Sequence, residues 1–219
     1  MSEHGLRGVA DAGAFLARLT RLDPGAPVRL RGAPGRTALW ARLPWDVLVT
    51  REVAGRGPDD ATVAAAELLG VLAEGGDRLP GRRDADWRWP LPPPAAETVE
   101  SVSAAELGRL ALAAAGTLRE VTAGGLGGRA VGQRAVRDAL LDHVALTVTT
   151  SRGESVEVSQ RLVQATSRMG FLGPNGVNVP DVRIRVAGRW VGLSAPYGVA
   201  WRQLGTKLSV MPIGVHPIG

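Results

Sequence analysis

The stretch Val182-Arg183-Ile184-Arg185-Val186-Ala187-Gly188-Arg189-Trp190-Val191-Gly192-Leu193 alternates apolar and basic side chains. That is the two-residue period of a β-strand. Val182, Ile184 and Val186 fall on one face, and Arg183 and Arg185 on the other. With Ala187-Gly188 as a two-residue turn, the chain folds back into a hairpin. Val186 then stands opposite Arg189, Arg185 opposite Trp190 and Ile184 opposite Val191. In that register Arg183, Arg185 and Trp190 share an exposed face. Arginine beside tryptophan suits phosphate contact with base stacking, or cation–π packing within the protein.

Outward from this hairpin the pattern stays mixed. Residues 199–203 and 208–213 also read as strands. Upstream, residues 160–171 read as a helix with Leu162, Val163, Thr166 and Met169 facing in. Gln160, Arg161, Gln164, Ser167 and Arg168 make a polar stripe on its other side. Gln and Arg are the side chains that read base edges bidentately. A helix followed by a hairpin is also the order of a recognition helix and its wing. A winged helix, however, needs another helix just before the recognition helix, and residues 145–149 and 155–158 read instead as a strand hairpin.

The N-terminal part has the same mixed character. Asp11 is placed to cap a helix carrying Phe15, Leu16, Leu19 and Leu22, which Asp23-Pro24-Gly25 stops. Val28 and Leu30 alternate with Arg29 and Arg31, the turn Ala33-Pro34-Gly35-Arg36 follows, and residues 37–43 and 45–53 continue as strands. Asp59 and Asp60 precede a second helix with Val63, Leu68, Leu69 and Leu72. Trp40 and Trp45 are expected in the core, joining these strands to the first helix. Trp87 and Trp89 alternate around Arg88 as a strand would. Pro90-Leu91-Pro92-Pro93-Pro94 can hold neither helix nor central strand and reads as an extended connection. Beyond it, Ser103-Ala104-Ala105-Glu106 is a capping box for a helix that Gly124-Gly125 ends, and a further helix fits residues 129–143. The fold class expected is α+β. An N-terminal unit covers 1–89, a Pro-rich connection 90–97 and a C-terminal helical and β unit 98–219. The two units can equally form one composite domain.

Length and composition exclude several chemistries. The chain has 219 residues, 45% hydrophobic and 21% charged, which fits a folded globular protein. No apolar run nears the span of a membrane helix. No basic-then-apolar leader opens the chain, so a cytoplasmic location is expected. With no cysteine, disulfides, zinc–thiolate centres, iron–sulfur clusters and cysteine nucleophiles are out. The net charge is +5. One Tyr and no Cys leave little to titrate between His and Arg, so a basic isoelectric point does not itself mark a nucleic-acid binder. The distribution says more: from Ser159 onward Arg161, Arg168, Arg183, Arg185, Arg189, Arg202 and Lys207 face Asp181 alone. A basic end on a neutral body is the footprint of an anionic partner.

Catalytic motifs are weak by comparison. The string Gly124-Gly125-Leu126-Gly127-Gly128-Arg129-Ala130 follows a helix, whereas a dinucleotide loop follows a strand. His4, His143 and His216 share no metal-ligand spacing, and no nucleophile-elbow motif occurs. Asp59/Asp60 and Asp84/Asp86 fall at a helix start and in a charged loop. The expectation is a non-catalytic binding protein with no cofactor and no metal. Its basic C-terminal face, built from Arg161, Gln164, Arg168, Arg183, Arg185, Trp190 and Arg202, would meet DNA, RNA or an acidic protein. The alternative is a protein–protein scaffold or assembly subunit using Trp-bearing surfaces, and a small-molecule enzyme comes third.

Overall fold

A computed structural model of the chain describes residues 2–124, 133–173 and 180–205, and the side chains within them except 118–137. The helix α1 (Val9–Leu22) leads into a meander of β1 (Pro27–Ala33), β2 (Arg36–Leu43) and β3 (Val47–Ala54). β4 (Ala61–Ala64) runs directly into α2 (Ala65–Ala73). A loop with one 3₁₀ turn at Asp84–Asp86 reaches β5 (Glu97–Val102), α3 (Ala104–Gly124) and α4 (Gln133–Asp142). The ribbon β6 (Val144–Thr149) and β7 (Ser155–Ser159) then gives way to α5 (Gln160–Arg168) and a second meander, β8 (Val182–Ala187), β9 (Trp190–Ala195) and β10 (Gly198–Gln203). The class is α+β, as the sequence indicates.

Eight strands form one antiparallel sheet in the order β4-β1-β2-β3-β10-β9-β8-β5. A helix followed by a three-strand meander occurs twice, as α1-β1-β2-β3 and α5-β8-β9-β10. The two meanders meet edge to edge, with Trp201 opposite Leu48 and Val199 opposite Thr50. Strand alternation decides the faces. In β2, Thr37, Leu39, Ala41 and Leu43 are buried, while Ala38, Trp40 and Arg42 point the other way. The helices cover the first face, and a single apolar core runs beneath both meanders. Phe15 of α1 and Phe171 just after α5 stack at 6.4 Å across the midline. Gly198 makes room for this stack. It has φ +156°, and a Cβ there would lie 2.5 Å from the Phe171 ring.

Several expectations need correction. The β8–β9 turn is Gly188-Arg189, and Ala187 pairs with Trp190, Arg185 with Gly192 and Arg183 with Ser194. Gly188 has φ +58°, and a two-residue turn of this kind wants glycine first, which draws Ala187 into the strand. The slip is by two residues, so Arg183, Arg185 and Trp190 keep a common face. Trp190, however, is only 8% exposed. Trp40 lies on the face away from α1 and is half-buried there, because Leu39 and Ala41 take the core positions. Trp45 is half-buried against the main core, under the Arg168 guanidinium. Asp11 lies in the first turn of α1 and pairs with Arg51, while Gly8 holds the N-cap. Asp59 and Asp60 precede β4, not a helix, and Trp87 and Trp89 stand in no strand. The glycine-rich residues 125–130 and the strand expected at 208–213, with Lys207 and His216, lie outside the described residues.

Candidate functional site

The sheet face away from the helices is crossed by residues 84–96. The crossing is tied down at its start, where the Thr62 amide donates to the Asp84 carboxylate (2.8 Å) and the Arg83 amide to the Thr62 carbonyl (2.7 Å). Trp87 and Trp89 then meet edge to face at 5.5 Å, and the Trp87 indole N–H donates to the Trp89 carbonyl. Arg29 lies 5.6 Å from the Trp87 ring and Arg42 4.9 Å from the Trp89 ring, so two strand arginines carry the two indoles. At the far end Arg185 donates to the Ala96 carbonyl (3.3 Å). Under this strap Leu48, Ala187, Trp190 and Trp201 form a second, smaller apolar cluster.

The strap leaves a groove of about 790 Å³ open at the seam between the meanders. Ladder pairing across the seam stops at Val199–Thr50, so Arg51, Glu52 and Val53 have no ladder partner on that side among the described residues. Beyond them the Arg7 and Gly8 amides donate to the Ala54 carbonyl (2.8 and 2.9 Å) and close the end of β3. Trp40, Val199 and Trp201 line the groove, Pro92, Pro93 and Pro94 stand along it, and Arg36, Arg51 and Arg185 reach its edge. Trp201 packs where it does because Gly192 lies opposite both Trp201 and Arg185. A Cβ on Gly192 would sit 2.5 Å from the indole. The Arg185 guanidinium stacks 5.6 Å from the Trp201 ring. Arg51 lies 5.5 Å from the Tyr197 ring and pairs with Asp11, and Arg36 is 3.6 Å from Glu52. The Thr50 hydroxyl also lines this groove, buried and with no hydrogen-bond partner.

The residues singled out in the sequence divide between this face and the interior. Arg185, Trp190 and exposed Arg183 are on the sheet face. Gln160, Arg161 and Gln164 of the α5 stripe do not face out, because α3 and α4 pack over that helix. The Arg161 side chain is 10% exposed; it donates twice to Asp142 (2.6 and 2.8 Å) and once to the Trp45 carbonyl (3.2 Å). Gln164 is buried and donates to the Ala111 carbonyl (2.8 Å). Arg168 is exposed over Trp45, and Arg202 reaches Asp142 at 3.0 Å.

These pairs redistribute the charge. The Arg161 hydrogen bond holds the Asp142 carboxyl below its ordinary range, with Arg202 adding to the effect. Arg29 does the same to Asp60, and Arg82 together with the Thr62 amide to Asp84. Burial lowers the Arg202 guanidinium. Arg42–Asp46, Arg83–Asp86 and Arg82–Asp84 are further ion pairs. Of the seven cations counted from Ser159 onward, Arg161 and Arg202 thus share one carboxylate, Asp142, from an earlier helix.

Sequence reasoning missed two features. His4 is buried: its Nδ1 accepts from the Leu6 amide (3.0 Å), and its Nε2 donates to the Gly76 carbonyl (2.9 Å), pinning the N-terminal segment to the end of α2. No local signal marks it, since its partner is 72 residues away. The groove itself was also missed, although Tyr197 and the three prolines carry its aromatic and proline signature. Among the described residues no group of three His, Cys, Asp or Glu side chains is placed to hold a metal ion. No described helix is long and apolar enough to cross a membrane.

Two helix-backed meanders joined edge to edge define a sliding-clamp-like α+β fold, and solved structures share it. The DnaN sliding clamp of Bartonella birtlesii, solved with griselimycin bound, is 15% identical with a TM-score of 0.56, over 99% of this chain and 67% of that one. The DNA polymerase III β subunit of Thermotoga maritima is 12% identical with a TM-score of 0.53, over 92% and 63%. A putative β subunit from Eubacterium rectale is 11% identical with a TM-score of 0.56, over 90% and 63%. The chain thus spans about two thirds or less of the length of these structures, and the likeness is one of fold. The protein belongs to the family described as Domain of unknown function (DUF8185), whose model matches residues 91–207. Residues 5–90 match a second model, Domain of unknown function (DUF8010). No curated protein matches the chain.

Proposed function

We propose that this protein is a non-catalytic protein-binding module that takes an extended, acidic segment of a partner protein in the seam groove. The observation that carries this reading is the groove's make-up: an aromatic floor at Trp40 and Trp201, a proline wall, and Arg185 stacked on Trp201 at the edge, while Glu52 and Asp11 pair with Arg36 and Arg51. Tryptophan, tyrosine and arginine are the side chains that dominate protein–protein binding energy. The stretch of β3 from Arg51 to Val53, outside the ladder with β10, suits an extended ligand.

Peptide display on the immobilised protein tests this. Selected peptides are expected to share carboxylates spaced around an apolar or aromatic residue. Arg185→Glu and Tyr197→Ala are each expected to weaken them by about tenfold, or about 1.4 kcal/mol. A selection without consensus, or peptides indifferent to both variants, refutes the reading.

A second reading rests on exposed Arg183 beside Arg185, and on neighbours whose titles name DNA polymerase III β subunits. It makes the same face a nucleic-acid contact. Binding of a labelled DNA or RNA strand would then fall steeply with salt, by about 0.7 to 0.9 log units per log unit for each phosphate contact. Arg183→Ala with Arg185→Ala would flatten that slope by about one to two units. The ion pairs that already neutralise Arg29, Arg36, Arg42 and Arg51 favour the protein ligand.

A further inference from the structure

The two edges of the main sheet are treated differently. At β4 the edge is blocked: Val63 bridges to Arg82, Asp84 takes the Thr62 amide, and the Arg83 amide takes the Thr62 carbonyl. At the other end β5 pairs with β8 alone, and its outer edge has no ladder among the described residues. The ribbon strand β6 likewise pairs only with β7. These two unpaired edges face one another. They are joined at one end, where the Ser151 hydroxyl donates to the Glu97 carboxylate at 2.9 Å. Beyond that point they enclose a cavity of about 530 Å³ over α3.

Its size and lining define what fits. A strand residue fills about 160 Å³, from about 3.3 Å of rise, about 4.8 Å between strands and about 10 Å between layers. The cavity therefore holds about three residues of a single extended segment. Val102, Leu110, Leu146 and Val148 offer apolar surface, while Glu100 and Glu106 present carboxylates. Arg109, 3.8 Å from Glu106, is the cation lining it. An apolar, net-acidic slot between two open strand edges selects a strand that alternates apolar with basic side chains. We infer that the β5–β6 cleft is a strand-addition site for such a segment of a partner protein, which would join the ribbon to the main sheet. This surface is separate from the seam groove, and its charge preference is the opposite one.

The test uses the full chain with two synthetic probes, a Lys-Val-Lys-Val-Lys-Val peptide and its Glu-Val counterpart. Binding is followed by anisotropy and by amide exchange. The basic peptide is expected to bind, to slow exchange at residues 99–102 and 145–148 together, and to bind about tenfold more tightly than the acidic one. Glu100→Lys, at an exposed position, is expected to remove most of that preference. Four results overturn the proposal. One is protection of both edges without peptide at every protein concentration, which means that another segment of this chain fills the cleft. Another is protection that grows with protein concentration, which means a second copy fills it. The others are binding that protects neither edge and equal binding of the two peptides.

Discussion

The Arg161–Asp142 pair separates an internal role for α5 from a partner-binding one, because its two members are buried unequally. The Arg161 side chain is 10% exposed and the Asp142 side chain 50%. Removing one partner of a fully buried pair costs about 3–5 kcal/mol, because the remaining charge is stranded. Asp142→Ala leaves the buried guanidinium with the Trp45 carbonyl and the Asp138 charge. With half the carboxylate already in water, the cost falls to the lower end, about 2–3 kcal/mol. Arg161→Met keeps the apolar stem and leaves Asp142 to water and Arg202. It costs the net value of the lost hydrogen bonds, about 1–2 kcal/mol. The double variant should then resemble Arg161→Met alone, so the coupling equals the cost of Asp142→Ala, about 2–3 kcal/mol. Urea unfolding with an unchanged slope measures all three. The internal role is refuted if Asp142→Ala is the milder change, or if Arg161→Met leaves stability within about 0.5 kcal/mol while abolishing partner binding.

Three other outcomes are expected. Gly192→Ala pushes a Cβ into the Trp201 indole and should cost about 1–3 kcal/mol by urea unfolding, with a matching loss of groove binding. Phe171→Ala removes the stack with Phe15 and should cost about 3–5 kcal/mol; an unchanged thermal melt would mean that the midline is not held there. Asp60, Asp84 and Asp142 are each held below the ordinary carboxylate value of 3.8. Their stabilisation is complete above that value and is lost as pH falls through their lower folded-state values. The urea midpoint should thus be level from neutral pH to about 5 and drop below about 4, and Asp60→Asn should reduce the drop.

Strand and helix periodicity made most elements legible. Leu39, Ala41 and Leu43 mark the core face of β2, and Leu162, Val163 and Thr166 mark the buried side of α5. Two strands escaped because each lacks the usual signal. β4 is four residues long and merges into α2, and β5 carries Glu97 and Glu100 with few apolar positions. The α5 stripe was legible as polar but not as buried. Arg161 and Gln164 are satisfied by Asp142 and Ala111, 19 and 53 residues away, and no local pattern encodes such partners. The same holds for charge: seven cations against one anion in the last segment says nothing of Asp142, which neutralises two of them from an earlier helix. The alternation of Arg183 and Arg185 gave the correct face even with the turn misplaced, because a slip of two residues preserves the strand period.

Both proposed sites arise where the arrangement of two meanders is imperfect. β3 spans eight residues and β10 six, so the seam between them runs out and leaves Arg51, Glu52 and Val53 outside the ladder near Tyr197, before the Arg7 and Gly8 amides close the strand at Ala54. The helix-backed ribbon of the second half stops short of the main sheet, so β5 and β6 each keep an open edge. At β4 the edge is closed by Arg82, Arg83 and Asp84, and the main sheet is covered by helices on one face and by the strap on the other. Exposed strand edges invite unwanted pairing and are normally blocked by charge, proline or a covering segment. Here the strap supplies proline beside one opening and carboxylates flank the other. On these proposals Arg185 would favour an acidic segment at the seam, and Glu100 and Glu106 a basic one at β5. Two sites of opposite preference on one chain would let it hold two different segments at once, which is what a scaffold between partners requires.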